Sequence, residues 1–111
     1  MIAKTPEPPY YAVIFTSTLN EDHEGYSEMA EKMEHLAKVQ TGYLGFESAR
    51  SELGISISYW KDLESIRNWK RNTEHLLVQK LGKEKWYHKY HIRITRVERD
   101  YSFSSDFTRN L

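Results

Sequence analysis

The fold is decided by the stretch Trp60-Lys-Asp-Leu-Glu-Ser-Ile-Arg-Asn-Trp69-Lys-Arg-Asn-Thr-Glu-His75-Leu-Leu-Val-Gln79. Just before it, residues 54–60 alternate between apolar and small side chains, which is the period of a strand. Within it, Asp62 can cap one short helix, and Asn72 or Thr73 can open a second. A strand that leads directly into a pair of helices predicts a domain that mixes α and β structure.

The chain before this stretch predicts two more strands and a helix. Residues 10–18 are β-branched and aromatic throughout, which indicates a first strand. Residues 42–50 lead through a polar turn into the strand described above, so the two are expected to form a hairpin. Between them, Asn20 can cap a long helix that Gly42 closes, and its apolar side chains recur at helical spacing.

The end of the chain completes the topology. Residues 90–101 predict a last strand in which the alternation slips near Val97, as it does at a bulge. The order βαββαβ is that of a ferredoxin-like α+β protomer, an antiparallel four-stranded sheet with both helices on one face. The other face carries apolar side chains, so we expect it to meet a second copy of the chain in an isologous homodimer that encloses a barrel.

Length and composition limit the possible functions. The 111 residues predict one domain, with an extended segment at 1–9, the folded domain at 10–103 and a polar tail at 104–111. Lys and Arg number 16 and Asp and Glu also number 16, so no net charge attracts nucleic acid or an anionic membrane. Cysteine is absent, and no run of about 18 apolar residues occurs. A cytoplasmic protein without disulfides or membrane spans is expected.

Several stretches resemble the antibiotic biosynthesis monooxygenase family, in particular its YqjZ-type branch of uncharacterised bacterial proteins. They are Val13-Ile-Phe-Thr16, Gln40-Thr-Gly-Tyr-Leu-Gly-Phe46, the Trp60 to Gln79 stretch and Trp86-Tyr87. The resemblance implies a dimeric α+β barrel with a pocket between the sheet and its helices. It also implies oxygenation of aromatic polyketides or quinols without metal or flavin, although other members degrade heme and some have no assigned activity.

The heme-degrading branch of that family is disfavoured by the residues at its key positions. That branch has an asparagine on the first strand, a tryptophan in the second helical segment and an axial histidine ten residues later. Only the tryptophan is matched, by Trp69, while Phe15 and Gln79 occupy the other two positions. An amide oxygen is a poor axial ligand for heme iron beside an imidazole. His75, one turn before Gln79, could take that place only if the helix shifted.

The candidate site residues follow from the spacing of the helix and from the resemblance. His75, Gln79 and Trp86 share one helical stripe with apolar residues, which suits a pocket wall. A histidine with an ordinary pKa of about 6.5 can accept a phenolic or enolic proton, so His75 is the candidate catalytic base. Flat walls and hydrogen bonds for a planar substrate are expected from Trp69, Trp60, Phe15, Tyr43 and Tyr59.

Two hypotheses of function remain open at this point. The first is a cofactor-independent monooxygenase that acts on a small aromatic phenol, quinol or polyketide-like substrate. The second is a non-catalytic ligand-binding or structural homodimer with the same fold. No cofactor is predicted, and no metal is predicted because His88 and His91 would point to opposite sides of a strand.

Overall fold

The fold is an α+β sandwich in which one sheet carries two long helices on one face. The computed structural model describes the backbone of residues 1–79 and 85–108 and the side chains of residues 1–74 and 85–106. The sheet order is β2-β3-β1-β4 with every neighbouring pair antiparallel, which is the predicted ferredoxin-like topology. The elements in chain order are β1 (Tyr10–Leu19), α1 (Tyr26–Lys38), β2 (Tyr43–Arg50), β3 (Gly54–Trp60), α2 (Leu63–Gln79), β4 (Tyr87–Val97) and the short α3 (Ser105–Thr108).

The two faces of the sheet differ in what covers them. Strand alternation places residues that are paired across strands on the same face. Val13 is paired with Ser58 on the face that carries the helices, which we call the helix-side face. Ile14 is paired with Ile57 on the opposite face, which we call the open face.

The core lies between the helix-side face and the helices, centred on Trp60. This side chain is fully buried and packs with Ala37 of α1 and Ile66 of α2. Trp69 stacks on Trp60 with ring centroids 5.8 Å apart, and the indole N–H of Trp60 donates to the Ser58 hydroxyl at 2.8 Å. The core tryptophan therefore has both its apolar surface and its single donor satisfied.

One end of the open face is covered by the residues that flank the sheet in sequence. The backbone N–H of Ala3 donates to one Glu47 oxygen at 2.9 Å, and the Tyr59 hydroxyl donates to the other at 2.7 Å. The Tyr10 hydroxyl donates to Asp100, which follows β4. These bonds hold the N-terminal segment across β2 and β3, and no other described segment covers the far end of the open face.

The first helix begins later than the sequence predicts. Asn20 does not cap it, because its backbone N–H donates to the Trp86 carbonyl at 2.8 Å and its side chain donates to Lys85 at 3.1 Å. The helix instead starts at Tyr26, after Gly25 with a φ of 89°. Asn20, which the sequence suggests as a cap, therefore connects the loop between β1 and α1 to the residues just before β4.

The second helical segment and the last strand also differ from the prediction. The pair of short helices is one continuous helix, because Thr73 bonds back to the Lys70 carbonyl at 2.9 Å and Asn72 bonds to Gln40, so neither residue caps a new helix. The last strand runs over Tyr87–Val97 and not over 90–101. Its irregular pairing lies at its start, opposite the end of β1, and the predicted bulge near its end is wrong. No helix within the described ranges has the length and apolar composition that a membrane crossing requires.

Candidate functional site

A cavity of about 440 Å³ lies between the helix-side face and the two long helices. This volume is in the range of small-molecule sites in proteins. Aromatic side chains and hydroxyl groups line most of it, with one guanidinium at an end. The sheet contributes Val13, Phe15, Phe46, Ser48, Ser56 and Ser58, and the helices contribute Tyr26, Ala30, Met33, Glu34, Trp69 and Thr73.

Three aromatic rings close the cavity where β1 and β4 meet the start of α1. Phe15 and Tyr87 contact edge to face, with centroids 5.4 Å apart, and Tyr26 contacts Tyr87 in the same way at 5.6 Å. Burial raises the pKa of Tyr87 far above its ordinary value, and the hydrogen bond with the Tyr26 hydroxyl raises it further. Tyr87 is therefore a neutral phenol that can donate or accept a hydrogen bond at physiological pH.

Arg50 brings a positive charge to this end of the cavity. From the end of β2, its side chain crosses Gly54 of β3 and reaches Ser17 of β1. The guanidinium donates to the Ser17 hydroxyl and, at 3.4 Å, to the Ser17 carbonyl oxygen. It also lies 5.2 Å from the centre of the Tyr26 ring, within the range of a cation–π contact.

The opposite end of the cavity is apolar, with carboxylates at its rim. Trp69 lines it and is supported from behind by the buried Trp60. Glu34 also lines this region, next to the last turns of α1. Ser58 at this end lies four positions after Gly54 at the other along β3, or about 13 Å at 3.3 Å per residue. The cavity is thus elongated, with opposite charges towards its two ends.

The structure brings two of the predicted site residues to the cavity and places four elsewhere. Phe15 and Trp69 line it. His75 and Gln79 lie in α2, and their side chains are outside the described residues. The remaining four are Trp60, which is buried behind Trp69; Tyr43, which packs on the Trp60 ring; Tyr59, which lies on the open face; and Trp86, whose indole donates to the Glu24 carbonyl at 2.8 Å.

Sequence reasoning missed Tyr26, Tyr87 and Arg50 as residues of the cavity. Tyr26 is one of the apolar side chains at helical spacing in α1, which predict packing alone, and Tyr87 precedes the predicted start of the last strand. Arg50 could have been noticed because it faces a glycine across the hairpin, where a long side chain can cross the sheet. These residues meet only through the pairing of β1 with β3 and β4, which local patterns do not specify.

An alkaline loss of stability is expected from the buried tyrosines. Burial is the main cause of the raised pKa of Tyr87 and Tyr59, and also of Tyr43 and Tyr10. The folded state keeps these phenolic protons at a pH at which the unfolded chain, whose tyrosines have a pKa of about 10, loses them. The contribution of the tyrosines to the free energy of unfolding is therefore constant below about pH 10 and falls above it. Tyr87 alone is expected to contribute about 1.4 kcal/mol per pH unit in that window.

Urea unfolding between pH 8 and pH 11 measures this effect. Replacing Tyr87 with phenylalanine removes one titrating group, so the Tyr87→Phe variant is expected to have a shallower decline above pH 10. An equally steep decline in that variant would contradict the assignment of the effect to Tyr87.

Comparisons with known proteins support the fold and identify a relative. No family model matches the sequence. Over 107 residues, which are 95% of this chain and 94% of the relative, it is 44% identical to the uncharacterised protein YqjZ of Bacillus subtilis (strain 168). Among solved structures, PA3566 of Pseudomonas aeruginosa superposes with a TM-score of 0.65 at 20% identity, covering 86% of this chain and 99% of the other.

Two further solved structures carry names that refer to oxygenation. SnoaB of Streptomyces nogalater, a cofactor-independent oxygenase, has a TM-score of 0.68 at 9% identity and covers 84% of this chain and 97% of its own. A Nitrosomonas europaea protein provisionally named an antibiotic biosynthesis monooxygenase has a TM-score of 0.63 at 13% identity and covers 91% of this chain and 99% of its own. The topology and these neighbours define an α+β protein with the fold of the antibiotic biosynthesis monooxygenases. The chain belongs to the family of YqjZ.

Proposed function

We propose that this protein is a cofactor-independent monooxygenase that oxidises a small phenol, quinol or polyketide-like aromatic in the cavity beneath α1 and α2. The observation that carries the proposal is the cavity itself, which is large enough for a two- or three-ring aromatic. Its walls are the flat faces of Phe15 and Trp69, and its closed end holds the hydroxyl groups of Tyr26 and Tyr87. SnoaB, which has the same fold, is a cofactor-independent oxygenase.

The proposed reaction needs an electron-rich substrate anion. Molecular oxygen is a triplet and reacts with a closed-shell molecule only after a one-electron transfer. A base removes a proton, the anion gives one electron to oxygen, and the substrate radical and superoxide combine to a peroxide anion. The protonated base returns its proton to this anion, which gives a hydroperoxide. Loss of water then leaves one oxygen atom on the substrate as a carbonyl, so a methylene group and oxygen become a ketone and water. The protein has to deprotonate the substrate and exclude bulk solvent.

Two residues are proposed as alternatives for the base. His75 is the residue that the sequence favours, and it lies in α2, six positions after Trp69. Glu34 is the alternative, because it lines the cavity on the α1 side and is only partly exposed. The variants His75→Ala and Glu34→Gln distinguish them.

Oxygen uptake by the purified protein tests the proposed function. A panel of hydroquinones and anthrone-like phenols is expected to give uptake above the autoxidation blank. Trp69→Phe is expected to lower the rate by about tenfold through loss of substrate orientation. The single variant that lacks the base is expected to lower the rate more strongly, by about 10²–10⁴-fold relative to wild type, which is the usual range for general base catalysis.

Two controls make this experiment decisive. Added catalase returns half of the consumed oxygen if the product is hydrogen peroxide, so an unchanged trace is expected for a monooxygenase that makes water. Arg71→Gln alters an exposed side chain that bonds to Asn68 outside the cavity, and its rate is expected to equal that of the wild type. Uptake equal to the blank across the panel would favour a non-catalytic ligand-binding dimer.

The functional unit is proposed to be a homodimer joined through the open face. Ile14 and Ile57 are paired on this face, and Ile55 beside them is 41% exposed. A contiguous apolar surface at the uncovered end of a sheet favours burial against a second copy. Light scattering is expected to give twice the 13.2 kDa chain mass at micromolar concentration. A mass of one chain under those conditions would contradict the proposal.

A further inference from the structure

The guanidinium of Arg50 carries a charge that no carboxylate of the described residues neutralises at close range. Its hydrogen bonds are to the neutral oxygens of Ser17, and its stacking partner is the ring of Tyr26. Within the described part of the chain, no Asp or Glu oxygen lies within 4.0 Å of it. Glu21 and Glu52 line a second hollow together with Arg50, and neither is among the residues that line the cavity. A guanidinium has five donors, so several remain for a ligand.

The backbone is shaped to bring this guanidinium to the cavity. A Cβ placed on Gly54 would lie 2.1 Å from the Arg50 Cζ and 2.1 Å from its Nη2. Gly54 is buried and begins β3, so the arginine lies flat against bare backbone as it crosses from β2 to β1. Any larger residue at this position would displace the charged group. The glycine and Ser17 together therefore fix the guanidinium in place.

The distribution of charge gives the cavity a direction. Arg50 lies at the end closed by Tyr26, while Glu31 and Glu34, which also line the cavity, are five and eight residues further along α1 than Tyr26, or about 7.5 and 12 Å at 1.5 Å per residue. An anionic group would be attracted to the Arg50 end and repelled from the Glu34 end. The aromatic surfaces between them, including Phe15 and Trp69, can hold a planar body.

We propose that Arg50 binds the ionised oxygen of an aromatic acid, so that the ligand lies lengthwise with its anion against Arg50 and its rings between Phe15 and Trp69. This inference rests on the proposed function and deepens it, since it names the substrate class of the same cavity. An enolate oxygen held there would be stabilised by the guanidinium as it forms, while a base elsewhere in the cavity removes the C–H proton. In the hydrogen-bonded pair of the Tyr26 and Tyr87 hydroxyls one O–H donates to the other oxygen, and the second O–H would give the ligand oxygen a further hydrogen bond.

Isothermal titration calorimetry with two probes tests the inference directly. The probes are 2-naphthoate and its neutral analogue 2-naphthamide, which have the same ring system. The wild-type protein is expected to bind the anion at least ~10-fold more tightly, as for a charge-assisted hydrogen bond. Arg50→Gln is expected to bind the two probes within about twofold of each other. Arg71→Gln removes one positive charge outside the cavity and is expected to keep the wild-type preference.

A second variant separates the position of the charge from its presence. Gly54→Ala keeps Arg50 but forces its guanidinium to move. Gly54 does not have a positive φ, so alanine can adopt the same backbone conformation. Because the obstructing atoms are the end of a flexible side chain, Gly54→Ala is expected to fold and to lose most of the preference for the anion. The inference is overturned if wild type has no preference, or if Arg50→Gln retains it.

The outcome is independent of oxygen uptake. A preference for the anion that depends on Arg50, with no uptake on any substrate, would leave the anion site standing and refute the monooxygenase. Uptake of oxygen by a protein that binds both probes equally would support the monooxygenase and refute the anion site at Arg50.

Discussion

Trp60→Ala is expected to lower the free energy of unfolding by about 3–5 kcal/mol, which is the usual effect of truncating a fully buried aromatic residue. The expected fall in melting temperature is roughly 12–20 °C, at about 4 °C per kcal/mol for a domain of this size. Trp60 is 0% exposed and contacts both helices through Ala37 and Ile66. Its removal also takes away the surface on which Trp69 stacks.

Two further variants determine how much of this effect is packing. Trp60→Phe keeps an aromatic ring against Trp69 but removes the donor to the Ser58 hydroxyl, which is only 6% exposed. It is expected to destabilise less than the alanine variant, by about 1–3 kcal/mol. Phe103→Ala truncates a ring that is 84% exposed and is expected to change stability by less than about 0.5 kcal/mol. Equal melting temperatures for Trp60→Ala and Phe103→Ala would contradict the central place of Trp60 in the core.

Much of the fold could be predicted from the sequence because its signals are local. The alternation along 54–60 fixes which residues of β3 share a face, and the polar turn before it fixes the hairpin. The order of the elements then selects the ferredoxin-like topology. The boundaries that failed are those where a polar residue bonds to a distant partner. Asn20 and Asn72 resemble helix caps in the sequence, but their partners lie 65 and 32 residues away.

The candidate site could be predicted only in part. Phe15 and Trp69 reach the cavity because strand alternation and helical spacing point them towards the space between the layers. The sequence predicts both Tyr59 and Trp60 in the same pocket, although neighbours on a strand point to opposite faces. In the structure Tyr59 lies on the open face. Arg50 lies at the end of β2, and only the pairing of three strands brings it to Ser17. A contact across three strands leaves no periodic signal.

The cavity and the core share side chains, Trp69 among them, so tighter packing of the core and an open cavity for a ligand are competing requirements. Trp69 forms part of the core by stacking on Trp60, and it also lines the cavity. Filling the cavity with a larger side chain would improve packing around Trp69 and exclude a ligand. A native protein that leaves about 440 Å³ open next to its core forgoes that packing, which is expected where the space serves a ligand.

The turn that joins α1 to β2 depends on a glycine for two physical reasons, so Gly42→Ala is expected to destabilise the protein by about 2–5 kcal/mol. Its φ of 87° lies in the left-handed region, where an alanine costs about 1–2 kcal/mol. Its Cβ would also lie 2.0 Å from the Ser65 hydroxyl oxygen and 2.6 Å from the Ser65 Cβ, an overlap that costs about 1–3 kcal/mol. Ser65 cannot easily rotate away, because its hydroxyl and backbone N–H both donate to Asp62, at 2.7 and 2.8 Å.

Gly25 provides the matched control that separates these two effects. Its φ of 89° is almost the same, but a Cβ there would meet Trp86 at 3.6 Å, which is an ordinary contact. Gly25→Ala should therefore show the backbone effect alone, about 1–2 kcal/mol, and urea midpoints of the two variants measure the difference. Adding Ser65→Gly should recover the steric part in Gly42→Ala, with a positive coupling in a double-mutant cycle. Equal losses for the two alanine variants would mean that α2 shifts at Ser65 to relieve the clash, and that the start of this helix is less firmly held than its cap implies.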